Sequence, residues 1–160
     1  MSVRMTDPTR AAAVRRAAAI LRDTEFLAAT DPDLKRAAAV AGAFEIPSRP
    51  PGYGTLLWLI IGQQISIAAA KALFERLTDT LGGVITPAGL LGLDDPTMRR
   101  CGFTRMKAEY ARGLAEALLD GSFELDGLTD LDDEAAIAAL TTRRGIGRWT
   151  AENYLMWALG

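Results

Sequence analysis

The chain has 160 residues, 49% of them hydrophobic and 24% charged, with a formal net charge of −2, which gives it the length for one domain and the composition of a globular protein. It holds no histidine, which excludes Ser-His-Asp and Cys-His chemistry and histidine-ligated zinc or iron, and its one cysteine, Cys101, excludes an intramolecular disulfide, a thiolate zinc site and a cysteine-ligated iron–sulfur cluster. The slightly acidic balance argues against a broad electrostatic grip on nucleic acid and leaves local basic patches open.

Apolar residues recur at three- and four-residue spacing, alanine is abundant and no alternating run is sustained, so the expected fold is all-α. A first helix is expected behind Asp7, with Pro8 in its first turn, to about Arg22, and a second from Asp31-Pro32 to near Phe44. Ile46-Pro47-Ser48-Arg49-Pro50-Pro51-Gly52 reads as a linker, because its prolines lack the N–H a helix needs. It divides residues 1–51 (Ala-rich helices and linker) from a main domain at 52–160. Tyr53 to Gly62 is apolar nearly all round and expected to be buried, and its Leu56–Ile61 run is too short to cross a bilayer. With no apolar leader after Met1, a soluble, cytoplasmic protein with no membrane partner is expected.

Gln63-Gln64 follows, then a helix capped by Ser66 that runs to Leu81 and is stopped by Gly82-Gly83. Short helices are expected after Thr86-Pro87 and Asp94-Asp95-Pro96, and a longer one from Thr104 to Leu119, ending at Gly121. The remainder reads as two helices around a tight turn: Asp132 or Asp133 to Thr141, then Gly145-Ile146-Gly147, then Arg148 to Leu159. Asp120, Glu124, Asp126, Asp130, Asp132, Asp133 and Glu134 make an acidic stretch, with Arg99, Arg100, Arg105, Lys107 and Arg112 before it and Arg143, Arg144 and Arg148 after it. The first basic cluster reads equally well as a solvated face.

A Gly-apolar-Gly turn lets two backbones approach without a Cβ and aims free N–H groups outward at the start of the second helix, where the helix dipole adds positive charge. A phosphate oxygen could be held there by the amides of Gly145 and Gly147 with Arg144, Arg148 and Thr150 nearby, a contact that fixes position on DNA without reading sequence. Taken alone, the triplet equally describes one helix ending and another beginning.

The stretch from Leu140 to Leu155 resembles the helix–hairpin–helix of the DNA glycosylase superfamily that includes endonuclease III, and Gly145-Ile146-Gly147-Arg148-Trp149-Thr150-Ala151 is similar to its DNA-3-methyladenine glycosylase II branch. Ile60-Ile61-Gly62-Gln63-Gln64-Ile65-Ser66 followed by Ala68-Ala69-Ala70 is similar to that branch's signature before its lesion-contacting loop, and Arg105-Met106-Lys107-Ala108-Glu109-Tyr110 is a weaker match. The resemblance runs from about Tyr53 to Gly160 in the family's order. It implies a helical bundle with a helix–hairpin–helix motif, double-stranded DNA with alkylated bases as partner, and hydrolysis of the N-glycosidic bond of an everted alkylated purine in base excision repair.

By the same resemblance Gln63 and Gln64 form the loop that fills the vacated stack, with Gln64 at the intercalating position; the alternative is that both satisfy a buried helix end. Trp149 corresponds to an aromatic of the base pocket, and Asn153, one turn on, to a position aromatic in some relatives; a tryptophan on a helix with Tyr154, Leu155 and Trp157 is equally a core residue. Trp149 also stands where bifunctional relatives carry the Schiff-base lysine, so no lyase activity is expected. The family binds a monovalent cation through hairpin carbonyls, which by position are those of Thr141, Arg143 and Ile146, although Arg143-Arg144 replaces an apolar-Pro pair; no other cofactor and no iron–sulfur cluster is implied. The family's catalytic aspartate would fall beyond Gly160, so the expectation is a C-terminally truncated, inactive glycosylase that would be a monomer if complete. As it stands it would be aggregation-prone through exposure of Leu155, Trp157 or Leu159. Two other readings stay open: a non-catalytic DNA-binding module and an acidic helical protein-interaction domain.

Overall fold

The computed structural model describes residues 8–42 and 48–160, all helix, turn or coil with no strand among them. They fall into two compact units: α1 (Pro8–Thr30) and α2 (Pro32–Ala41) lie in one, and residues 49–158 form the other. Helix α1 runs past Arg22, where the sequence reading ended it. No glycine or proline intervenes before Pro32, and Thr24 and Thr30 satisfy their hydroxyls within the helix on the carbonyls of Ile20 and Phe26 at 2.7 and 3.0 Å. Asp31 caps α2 by accepting the N–H groups of Asp33 and Leu34, and α2 stops at Gly42, whose φ is +73°. Asp7, Phe44, Ile46 and Pro47, which carry the expected first cap, helix end and linker start, lie outside the described residues.

The larger unit is organised around α3 (Tyr53–Gly62). Its apolar circumference has no polar face to give to water, so it becomes the central rod: Leu56, Leu57, Ile60 and Ile61 are fully buried, each stabilising the fold by roughly 1.5–3 kcal/mol. Around it pack α4 (Ile67–Thr80), α7 (Arg105–Leu119) and α9 (Arg148–Tyr154) through Leu73, Leu77, Ala111, Ala115, Ala151 and Tyr154. Helices α5 (Pro87–Leu91) and α6 (Asp95–Cys101) pack on α7 and α4, and α8 (Asp133–Thr141) packs on α9. The start of α3 is fixed from three directions: the Gly52 N–H donates to the Tyr154 hydroxyl at 2.9 Å, Thr55 donates to the Pro50 carbonyl at 2.6 Å, and Tyr53 donates to the Ala111 carbonyl at 3.2 Å.

The caps read from sequence are present. Ser66, Thr86, Asp94, Thr104 and Asp132 each accept a backbone N–H three residues on, at 2.8–3.3 Å. Helix α9 changes after Tyr154 into a π-helical turn over Leu155–Leu159. Leu155, Trp157 and Leu159 are half-buried there and Met156 is the exposed member. The Trp157 carbonyl accepts the Arg49 N–H at 2.8 Å, which anchors the turn to the segment preceding α3.

Candidate nucleic-acid interface

The hairpin between α8 and α9 is shaped by two glycines with different tasks. Gly145 has φ +88° and its Cα lies against the ring of Tyr110 on α7, where a Cβ would come within 2.5 Å of ring carbons. Gly147 has φ −89° and ψ 173°, is exposed, and a Cβ there would meet nothing within 4 Å. Between them Ile146 is buried, and its N–H closes the turn on the Arg143 carbonyl at 3.1 Å. No side chain caps α9, and the N–H groups of Gly145, Gly147, Arg148 and Trp149 have no acceptor among the described residues. Gly147, Arg148 and Trp149 are exposed, so these unpaired donors sit at the surface.

The arginines differ in how they are held. Every nitrogen of the Arg148 guanidinium is engaged: Nη1 and Nη2 on Glu134 at 3.0 and 2.5 Å, and Nε on Glu152 at 2.8 Å. The hydrogen bonds and charge of Arg148 hold the Glu134 carboxyl below its usual range, and the two carboxylates raise Arg148 above its own. Arg144 is exposed with its guanidinium 5.9 Å above the Tyr110 ring; Arg143 lies 5.3 Å above Phe123 and donates to Thr142. Among the described residues no group of three or more His, Cys, Asp or Glu side chains could hold a metal ion.

Trp149, the second residue of α9, is 62% exposed, which removes the core reading for it. Asn153 does not share its surface. It is 8% exposed and its amide donates back to the Trp149 carbonyl at 2.7 Å, so it contributes no free pocket wall. Thr150 is likewise buried, 3% exposed, and faces inward.

The loop after α3 comes up beside the hairpin. Gln63 is in extended conformation and half-buried, and its amide donates to the Gly145 carbonyl at 2.8 Å and to the Thr150 hydroxyl at 3.2 Å. The next residue is the tip. Gln64 is exposed with φ +60°, the only non-glycine residue in the left-handed region among those described, and Ile65 and Ile67 behind it are exposed too. The family resemblance singles out Gln64 as the intercalating residue; that Gln63 turns inward onto the hairpin is not legible in the sequence.

Sequence reasoning also missed Lys107. This lysine on α7 is buried, and its ammonium donates to the carbonyls of Ile61 and Gln63 at 2.6 and 2.7 Å, capping the C-terminal end of α3; burial pulls its pKa below the ordinary lysine value. The one local hint was a lysine amid Ala108, Ala111 and Ala115 on the apolar face of α7. Three others of that basic cluster have partners of their own: exposed Arg105 on Glu109 at 3.1 Å, exposed Arg100 on Thr97 at 2.6 Å and half-buried Arg112 on Asp95 at 2.5 Å.

Residues 57–154 match the HhH-GPD superfamily base excision DNA repair protein family. The chain is 31% identical over 140 residues to DNA-3-methyladenine glycosylase 1 of Schizosaccharomyces pombe, covering 83% of this chain and 61% of the relative. It is 28% identical over 133 residues to DNA-3-methyladenine glycosylase 2 of Escherichia coli, covering 77% and 46%. Among solved structures, a Schizosaccharomyces pombe 3-methyladenine DNA glycosylase in complex with abasic DNA superposes with a TM-score of 0.78 at 29% identity, over 87% of this chain and 70% of that one. A DNA-3-methyladenine glycosidase from Bacillus halodurans gives 0.69 at 32% identity, over 84% and 62%. The chain therefore spans 61% and 46% of the length of the two glycosylases to which its sequence was matched.

Proposed function

The chain belongs to the HhH-GPD superfamily of base excision DNA repair proteins, and from that premise we propose that it docks on alkylated duplex DNA and receives an everted, positively charged purine against Trp149. The observation that carries this reading is the exposed indole of Trp149 beside the unpaired N–H groups of Gly147 and Arg148. A phosphate oxygen at those amides would sit at the positive end of α9, fixing the strand without reading bases. An indole beside it attracts a cationic methylated base by about 1 kcal/mol, and by more once water is excluded.

The reading narrows the site. Gln64 is the residue that enters the stack, because Gln63 is committed to the hairpin. Gly147, Gly145 and Arg144 face the strand, whereas Thr150 and Asn153 support it from within, and Arg148 meets a phosphate only in exchange for a carboxylate. The carbonyls of Thr141, Arg143 and Ile146 would hold a monovalent cation, that of Arg143 through the lone pair Ile146 does not use. With an indole at residue 149 the chemistry is hydrolysis without a Schiff base.

Departure of the base builds positive charge on the sugar, which a carboxylate must stabilise. The carboxylate on α9, Glu152, is bound to Arg148 at 2.8 Å and so is not free for that step. This favours, as a second reading, a stretch that binds and everts without hydrolysing.

The deciding experiment measures binding of the chain to duplex DNA with and without an N-methylated purine across a salt series, together with release of the free base. Binding that weakens with salt and favours the methylated duplex is expected. Binding without that preference supports the non-catalytic module, and no binding at low salt returns the chain to an acidic protein-interaction role.

A further inference from the structure

Opening a duplex requires two things at once: a grip on the strand and a probe that enters the stack. In this chain they come from segments more than eighty residues apart, the hairpin at Gly145–Gly147 and the loop at Gln63-Gln64, and the side chain of Gln63 joins them through the Gly145 carbonyl and the Thr150 hydroxyl. Its own carbonyl is held in turn by Lys107, which also holds Ile61. Gln64 follows directly, in a backbone conformation that a non-glycine residue keeps only when its neighbours impose it.

We infer that Gln63 is a positioning residue that ties the insertion tip Gln64 to the strand grip of the hairpin, with Lys107 as the brace that fixes the loop carbonyls. The inference rests on the DNA-eversion reading above and adds to it the part that makes the grip and the probe one rigid device. Both N–H groups of the Gln63 amide are spent on the hairpin, so no rotation of that side chain toward DNA is possible without giving up both bonds. Thr150 is 3% exposed and Lys107 7%, so the anchoring ends cannot be replaced by water without opening the core. Displacement of the hairpin by a bound strand is thereby transmitted to residue 64. Free of this link, the loop would still exist, capped by Ser66 on one side and by the α3 end on the other, but its tip would have no fixed register against the phosphate grip.

The experiment uses the whole chain and a duplex with 2-aminopurine at the position to be everted. Anisotropy reads binding and 2-aminopurine fluorescence reads unstacking. Gln63→Leu is expected to keep binding within about twofold and to lower the unstacked fraction about thirtyfold, the factor that loss of two ordinary hydrogen bonds produces. Lys107→Met should do the same and Lys107→Arg should restore most of the signal. Thr150→Val removes one acceptor at little change in volume, so it gives a smaller loss in the same direction and serves should Gln63→Leu fail to fold by circular dichroism. A proportional fall in binding and unstacking, or an unstacked fraction unchanged in Gln63→Leu and Lys107→Met, overturns the inference. Gln64→Ala separates the two levels: if it abolishes unstacking while Gln63→Leu does not, the link is wrong and the eversion reading stands. If the unmodified chain binds and never unstacks the probe, the eversion reading fails and takes the link with it.

Discussion

Tyr110 and Gly145 are in van der Waals contact across the junction of α7 and the hairpin, the ring of one lying where the Cβ of any residue other than glycine would stand at the other. Gly145→Ala therefore meets two penalties, a left-handed backbone that costs an L-residue about 1–2 kcal/mol and an overlap that costs a further 1–3 kcal/mol. Thermal melts followed by circular dichroism should place the variant about 3 kcal/mol below the parent by these terms. A variant that melts with the parent would mean that Tyr110 swings away freely.

Gly147→Ala tests the opposite property. The added methyl meets nothing in the protein and the backbone is already in a region open to alanine, so the melting curve should not move. The methyl adds bulk beside the unpaired amides, and affinity for duplex DNA is expected to fall by about tenfold, the worth of one charge-assisted hydrogen bond. Equal affinity of the two proteins would show that no strand passes there.

These two glycines also show what the sequence could and could not carry. A Gly-Ile-Gly triplet between two apolar-periodic segments located the hairpin, and Ser66, Thr86, Asp94, Thr104 and Asp132 located five helix starts, because turns and caps are decided within three or four residues of chain. Partners distant in sequence leave no such trace. The acceptors of Lys107 lie 44 and 46 residues before it, those of the Gln63 amide more than eighty after it, and Glu134 reaches Arg148 across the whole hairpin. Spacing put Trp149 and Asn153 on one face of α9, but it could not tell that this face dips into the core between them, leaving the indole outside and the amide within. Helix α1 overran its expected end for a local reason, since threonines that bond back to their own helix do not break it.

Arg148 is held by carboxylates in the free protein, so removing the charge of Glu134 should release it toward DNA. Glu134→Gln is expected to tighten duplex binding and to steepen its salt dependence by about one counterion, read from the slope of log affinity against log salt. The pH profile follows with a definite sign. Because Arg148 depresses the Glu134 pKa, the pair contributes to folding throughout the range above the ordinary glutamate value and is lost only as pH falls through the depressed value. DNA affinity should therefore be insensitive to this pair through mild acid and rise as Glu134 takes its proton, and Glu134→Gln should abolish that rise. An unchanged salt slope in Glu134→Gln would mean that the guanidinium points away from the strand once freed.

Trp149 carries little of the fold, being 62% exposed, and much of the proposed recognition. Trp149→Ala should leave the melting temperature within a degree or so of the parent, since surface substitutions usually change stability by no more than about 0.5 kcal/mol. Its effect should fall on selectivity. Competition between a duplex holding an N-methylated, positively charged purine and the same duplex unmodified should show the preference reduced about fivefold, the equivalent of about 1 kcal/mol of cation–π attraction. Trp149→Phe, with a weaker but still electron-rich face, should retain part of it. The ordering Trp above Phe above Ala separates attraction to charge from simple bulk, because a purely steric wall would discriminate equally between charged and neutral purines of the same shape. A preference that survives Trp149→Ala intact would place the receiving surface elsewhere on the chain and would remove the ground on which the indole was assigned to the base.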